Sequence, residues 1–355
     1  MSKISVLIVD DSAFMRQLLR NVIDAQDDMR VVGIARDGVE AVQKAKSLKP
    51  DVVTLDVAMP KFSGSDALKI IMKESPTKVI MVSSFTAKGV AITMECLSYG
   101  AFDFIEKPSG SIALSFDEIK DELISKIRSA ARTNIDSLLP KQNKPNLYRS
   151  ASKQSSEQIS VSTNLSSSNK ILLIASSTGG PRSLEKIIPL LPKNLGCPGI
   201  IVQHMPPGFT KSLADRLEKA SNIMVKEAED GEVLSKDTIY IAPGNYHLGM
   251  RQQGDKIKLF LDSSNKINNV RPAADFTFDM ASHIYGKNII CVVLTGMGKD
   301  GAFGATKIKS LGGIVIAESK ETSVVFGMPK AVIDAGSADY VLDNTDIAKK
   351  IISLL

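Results

Sequence analysis

One stretch, ILLIASSTGGPRSLEKI at Ile171–Ile187, shows how this chain is built. Its short apolar run reads as a buried strand. The run breaks at Ser176, Ser177, Thr178, Gly179, Gly180 and Pro181, and from Arg182 onward Leu184, Ile187 and Ile188 take up helical spacing. A hydroxyl in such a turn lies at the carboxyl end of a strand and the amino end of a helix. That is where open α/β sheets place ligands and where backbone N–H groups hold anions. The turn can cradle a phosphate or present a nucleophilic serine beside oxyanion donors. It matches neither GxGxxG nor the P-loop, and GxSxG is absent.

The 355 residues leave room for two domains. A hydrophobic content of 43% with 23% charged residues is that of a soluble globular protein. A net charge of +5 is too small for this length to argue for nucleic acid. Cys96, Cys197 and Cys291 are scattered, without metal-ligand spacing, and suit a reducing compartment. The start MSKISVLIVDD has acids where a signal peptide is apolar, and no apolar run approaches a membrane span. A cytoplasmic protein with no membrane insertion is expected.

Residues 1–132 alternate short apolar runs (Val6–Val9, Val31–Ala35, Val52–Leu55, Val79–Val82, Phe102–Ile105) with helical patterns. Five βα units predict a parallel sheet covered on both faces. Asp10 and Asp11 end the first strand, Asp56 the third, Ser83 the fourth and Lys107 the fifth, so all face one crevice. Three carboxylates at one edge repel one another unless a cation joins them, and hard oxygen ligands of this kind suit Mg²⁺. A carboxylate beside Mg²⁺ and a lysine can accept a phosphoryl group. Any one of these aspartates alone is as well explained as a helix cap; the set is not. IVDDSAFMRQLL, TLDVAMP, MVSSFT and DFIEKPS make this region resemble a response-regulator receiver domain. The resemblance implies that Asp56 accepts phosphate from a histidine kinase, with Asp10, Asp11 and Asp56 around Mg²⁺. It also implies that Ser83 meets the phosphoryl group, Lys107 pairs with it and Phe104 is the switching aromatic. Ala58 stands where an acidic residue is common.

Residues 133–169 are polar and serine-rich and predict a flexible linker. From 170 to 355 the alternation returns, with strands expected near 171–175, 199–202, 223–225, 238–242, 289–294, 313–317 and 340–342. YHLGMRQQGDKIKLFL reads as a hairpin. The expected fold is α/β throughout: an N-terminal (βα)5 receiver domain, then a doubly wound, mainly parallel sheet with an antiparallel hairpin.

Three histidines leave few candidates for a base. His283 sits in a helical pattern and His247 in the hairpin, where structural roles are favoured. His204 follows the apolar run GIIV, at a strand end like Ser177. IICVVLTGMGKDGA is another buried strand breaking into a glycine loop, and it carries Asp300 just before a helix, where capping that helix is the alternative role. Ser177, His204 and Asp300 therefore share one crevice, and a nucleophile, a base and an orienting acid need that arrangement. A DNA-binding output leaves the parallel sheet unexplained, and a nucleotide-binding loop leaves His204 and Asp300 unexplained.

IASSTGGP, VQHMPPGFT, IAPGNYH, RPAAD, LTGMGKDGA and TSVVFGMP make residues 170–355 similar to the chemotaxis protein-glutamate methylesterase family, CheB. The resemblance implies hydrolysis of γ-glutamyl methyl esters, and deamidation of glutamines, on methyl-accepting chemotaxis receptors. Ser177 would be the nucleophile, His204 the base and Asp300 its partner. Thr178 and Met297 would give backbone support to the oxyanion. A chemotaxis histidine kinase would be the phosphodonor, Mg²⁺ would serve the receiver, and ester hydrolysis would need no cofactor. Of the two adjacent serines, Ser177 matches the motif and Ser176 stands where alanine is usual.

Overall fold

The computed structural model describes residues 3–84, 86–107, 112–139 and 170–355, with only the backbone described for 112–119. Strands β1 (Ile4–Val9), β2 (Met29–Ala35), β3 (Val52–Asp56), β4 (Lys78–Ser83) and β5 (Asp103–Glu106) alternate with helices α1 (Ala13–Asp24), α2 (Gly38–Leu48), α3 (Gly64–Glu74), α4 (Ala87–Tyr99) and α5 (Ile112–Arg132). The sheet is parallel, in the order β2-β1-β3-β4-β5. Helices cover both faces, which is why Val6–Val9 and Val79–Val82 are without polar residues and fully buried. Ser12, Asp37, Ser63 and Thr86 start α1–α4, each side chain accepting the backbone N–H three residues on.

Residues 133–139 differ from the flexible linker expected there. Ile135–Ser137 forms a short 3₁₀ turn, Leu138 is buried and the Thr133 hydroxyl donates to Val324 O at 3.2 Å. Ile135, Leu138 and Leu139 supply three apolar anchors inside a polar sequence, enough to pin this segment to the core. The remainder of the expected linker, 140–169, lies outside the described residues.

The second sheet has seven parallel strands: β6 (Ile171–Ser176), β7 (Gly199–Gln203), β8 (Met224–Glu227), β9 (Thr238–Ile241), β12 (Ile289–Val293), β13 (Ile314–Glu318) and β14 (Tyr340–Leu342). Their order is β14-β13-β12-β6-β7-β9-β8. Around them lie α6 (Gly180–Ile187), α7 (Phe209–Ala220), α8 (Ala274–Tyr285), α9 (Ala302–Ser310), α10 (Met328–Asp334) and α11 (Asn344–Leu354). The expected hairpin is β10 (His247–Gln253) with β11 (Lys256–Asp262), turning at Gly254 and Asp255. The chain leaves β6 toward β7 but leaves β12 toward β13, on the opposite side. The connections diverge between β6 and β12, and a crevice opens at their carboxyl ends. Helices α6, α7 and α9 begin on Gly179, Gly208 and Gly301 without a side-chain cap, unlike α1–α4.

The first sheet packs against this crevice. Arg182 is half-buried in the seam and donates to Leu97 O at 2.7 Å, Ala101 O at 2.9 Å and Leu138 O at 3.3 Å. Burial lowers its guanidinium to about 10, against the pull of Glu185 and Asp103, which still leaves it charged at neutral pH. The Thr178 hydroxyl donates to Asp103 Oδ2 at 2.5 Å, and Arg216 reaches Ser98 Oγ at 2.6 Å. Phe104 stacks on Phe209 with ring centroids 4.2 Å apart.

Gly64 fixes how closely α3 approaches β3. A Cβ there would lie 1.8 Å from the carbonyl oxygen of Asp56, a backbone atom that cannot rotate away. Gly64→Ala is expected to cost roughly 1–3 kcal/mol through overpacking. Thermal denaturation checks this; an unchanged melting temperature would contradict the packing.

Candidate active site and receiver site

At the first sheet's edge, Asp10 and Asp56 are buried and Asp11 is exposed, and all three offer oxygens within 4.8 Å of one another. Lys107 Nζ lies 2.9 Å from Asp10 Oδ2 and 2.8 Å from Asp56 Oδ2. Burial raises the Asp56 carboxyl above its ordinary range; Lys107 opposes the rise and the charge of Asp10 adds to it. One lysine therefore does not fully compensate two buried carboxylates, and the donor set fits a further hard cation. Ser83 is buried at the end of β4, its hydroxyl 2.7 Å from that of Thr93 rather than bonded to Asp56. Phe104 is turned inward, under Phe209. Ala58 N donates to Asp56 Oδ1 at 3.2 Å.

At the second edge, β6 delivers two serines to different places. Ser176 is the last strand residue, fully buried, and its hydroxyl donates to Gln203 Oε1 at 2.6 Å. Ser177 stands one residue further, half-buried, where the chain turns through Gly179 at φ +81° into α6. Val324 Cβ lies 2.6 Å from where a Cβ of residue 179 would be, so glycine is required there on two counts. Gln203 donates to Ser177 O at 3.0 Å and His204 O at 3.3 Å. A single side chain at the end of β7 therefore holds both turns.

His204 directs Nε2 to Asp300 Oδ2 at 2.8 Å. Asp300 also accepts Ala274 N at 2.5 Å, Asp275 N at 3.2 Å and the Asn268 amide at 2.9 Å. Burial would raise this carboxyl, but the hydrogen bond and charge of His204, with the other donors, hold it below the ordinary aspartate range. Asp300 is thus a cap, though not of α9, the helix that follows it: it caps α8. As a donor to an ionised carboxylate, His204 Nε2 carries the proton, which leaves Nδ1 as its basic nitrogen. No Ser177–His204 hydrogen bond occurs among the described residues. The loop after β12 presses on Ser177, since a Cβ at Gly296 would lie 2.8 Å from Ser177 Cβ. Half-buried Met297 follows in that loop.

The other histidines have the structural roles expected for them. His247 is buried, bonds Asn265 O at 3.0 Å, accepts Ala273 N at 3.2 Å and stacks on Phe276. His283 is exposed beside Lys307. Gln203, Asn268 and Asp275 were not anticipated. Gln203 lies next to His204 and gave a signal only as the polar residue ending an apolar strand.

A receiver-type sheet joined to a second, mainly parallel α/β domain defines a class: response regulators with an α/β output domain. Comparison with known proteins agrees. Residues 172–351 match the family model for CheB methylesterase and residues 6–115 that for the response regulator receiver domain. A Thermotoga maritima protein-glutamate methylesterase/protein-glutamine glutaminase is 56% identical, covering 99% of this chain and 98% of that one. A Pyrococcus abyssi protein of the same description is 45% identical over 99% and 93%. The crystal structure of the Thermotoga maritima CheB methylesterase catalytic domain matches 53% of this chain and all of that chain, at 61% identity and a TM-score of 0.51. The chain belongs to the CheB methylesterase family. Among the described residues, no helix is long and apolar enough to cross a membrane.

Gln203→Leu removes the donor from two carbonyls and the acceptor from the buried Ser176 hydroxyl. It is expected to cost roughly 1–3 kcal/mol or more, as unsatisfied buried polar groups do. Ser176→Ala removes one bond and should cost less. Paired thermal denaturation curves give the order; a milder Gln203→Leu would contradict it.

Proposed function

We propose that this protein hydrolyses γ-glutamyl methyl esters, and deamidates glutamines, on methyl-accepting chemotaxis receptors, with Ser177, His204 and Asp300 performing the chemistry. The 2.8 Å bond between His204 and an ionised, buried Asp300, beside half-buried Ser177, carries this reading. His204 Nδ1 takes the Ser177 proton as Oγ attacks the γ-carbonyl carbon. The negative oxygen meets backbone N–H groups of Thr178 and Met297, at an α6 terminus that no side chain caps. The carbon–oxygen bond to the methoxy group breaks, and His204 returns the proton to leaving methanol. Water then attacks the acyl-serine with the same proton path, releasing glutamate. With glutamine the leaving group is ammonia. Asp300 keeps the proton on Nε2 and stabilises the imidazolium. Substrate and water suffice for this step, with no cofactor.

The receiver supplies regulation. Asp56 accepts the phosphoryl group from a chemotaxis histidine kinase and Lys107 pairs with it; Asp10, Asp11 and Asp56 would hold Mg²⁺, whose charge would offset that of the phosphoryl group. Ser83 turns toward the phosphate and Phe104 moves with it. The docked receiver holds Thr178, next to the nucleophile, through Asp103, and so obstructs a receptor segment from reaching Ser177.

Methanol release from methylated receptors tests both halves. Ser177→Ala and His204→Ala should each lower turnover about 10⁴-fold, whereas Ser176→Ala is far milder. Residues 170–355 alone should outpace the unphosphorylated full chain, and Asp56→Asn should lose the increase that a phosphodonor with Mg²⁺ gives the parent protein. An essential Ser176 with a dispensable Ser177 would overturn the chemistry. An isolated domain no faster than the intact chain would overturn the obstruction.

A further inference from the structure

Behind the His204–Asp300 pair lies a second carboxylate. Asp275, in the first turn of α8, faces Asp300, and one side chain joins them. The Asn268 amide donates one N–H to Asp275 Oδ2 at 2.8 Å and the other to Asp300 Oδ1 at 2.9 Å. Asn268 sits at φ +52°, a left-handed conformation that asparagine tolerates better than most residues. Asp275 also accepts Gly304 N at 2.8 Å, and its own N–H goes to Asp300. The ionic partner of Asp300 is the His204 ring, at 2.8 Å. The groups facing them are His204 from the loop after β7, and Lys299 and Asp279 around an adjoining cavity of about 490 Å³. Across the domain seam, Asp103 is paired with Lys126.

Resting on the proposed hydrolase chemistry, we propose that Asn268 is a positioning residue: its amide bridge holds Asp300 ionised and aimed at His204 despite the second carboxylate at Asp275. Two carboxylates this close compete for one proton, and a donor shared between them lets both stay charged. The environments agree with this. Burial lifts the Asp275 carboxyl above its ordinary range; Gly304 N–H and Asn268 oppose the rise, and the charge of Asp300 adds to it, while Asp300 itself stays low. Without the bridge, Asp300 loses a donor that favours its charged form. The unscreened negative charge of the pair then favours the imidazolium. The second of these changes holds the base protonated to higher pH, at every pH where Asp300 remains ionised.

The test uses the full chain with Asn268→Gly, which keeps the backbone conformation open, and Asn268→Asp, which is isosteric and adds a third carboxylate. Ring signals of three histidines are followed by NMR against pH, with His247 and His283 as internal references. The midpoint of the His204 ring should rise in both variants, by half a pH unit or more in Asn268→Asp. The acid limb of kcat/KM should follow it, and kcat should fall tenfold or more with KM little changed. A merely structural asparagine would lower the melting temperature and leave these midpoints where they were. An unmoved His204 midpoint in a protein that needs Ser177 for methanol release overturns the positioning role alone. A moved midpoint in a protein that does not need Ser177 overturns the hydrolase assignment and leaves the bridge standing.

Discussion

The second domain is arranged around a buried carboxylate that has to stay charged. Taking Asp300 out of water is costly unless donors replace the water. The fold supplies four: the His204 ring, two N–H groups of the α8 terminus and the Asn268 amide. They come from three points of the chain, His204, Asn268 and Ala274–Asp275, so satisfying one charge fixes the relative positions of the β7 loop, the start of α8 and the turn at 268. The His204 ring is oriented by this bond, with Nε2 committed to Asp300. The Ser177 turn is pinned separately, by Gln203 from below and by the loop after β12 from the side.

The two sheets solve a similar problem differently. In the receiver, buried Asp10 and Asp56 share one lysine, and Asp56 is left with a raised carboxyl. That under-compensation suits a site that gains a cation and a phosphoryl group in its working cycle. At the Asp300 site the charge is satisfied by fixed neutral donors and one imidazole, which suits a site whose geometry must not change between turnovers. The seam between them is polar where it matters: Arg182, from the same stretch that carries Ser177, reads three receiver-side carbonyls, and Thr178 reads Asp103.

The strands were legible in outline because apolar runs buried on both faces cannot hide, and the polar residue that ends each run marks the open edge; their order in each sheet was not. Ser177, His204 and Asp300 could be gathered on that rule alone. Asp300 as a cap was also legible, but not which helix it caps, because α8 lies 26 residues earlier and meets it only through folding. Gln203, Asn268 and Asp275 act through pairings across distant loops, for which residue type and spacing give no signal. Arg182 gave no signal, since its partners are backbone carbonyls of α4, the loop after it and the turn at Leu138. The ordered start at 133–139 was concealed by polar neighbours around three apolar anchors.

The central claim is that Ser177, not its buried neighbour, is the hydroxyl that His204 activates. A phosphonofluoridate, which reacts covalently with activated serines, followed by peptide mapping of the labelled protein, addresses it directly. The account predicts a single label on Ser177 that is lost in His204→Ala while Ser176 remains unmodified. A label on Ser176, or labelling of Ser177 that persists without His204, would contradict it.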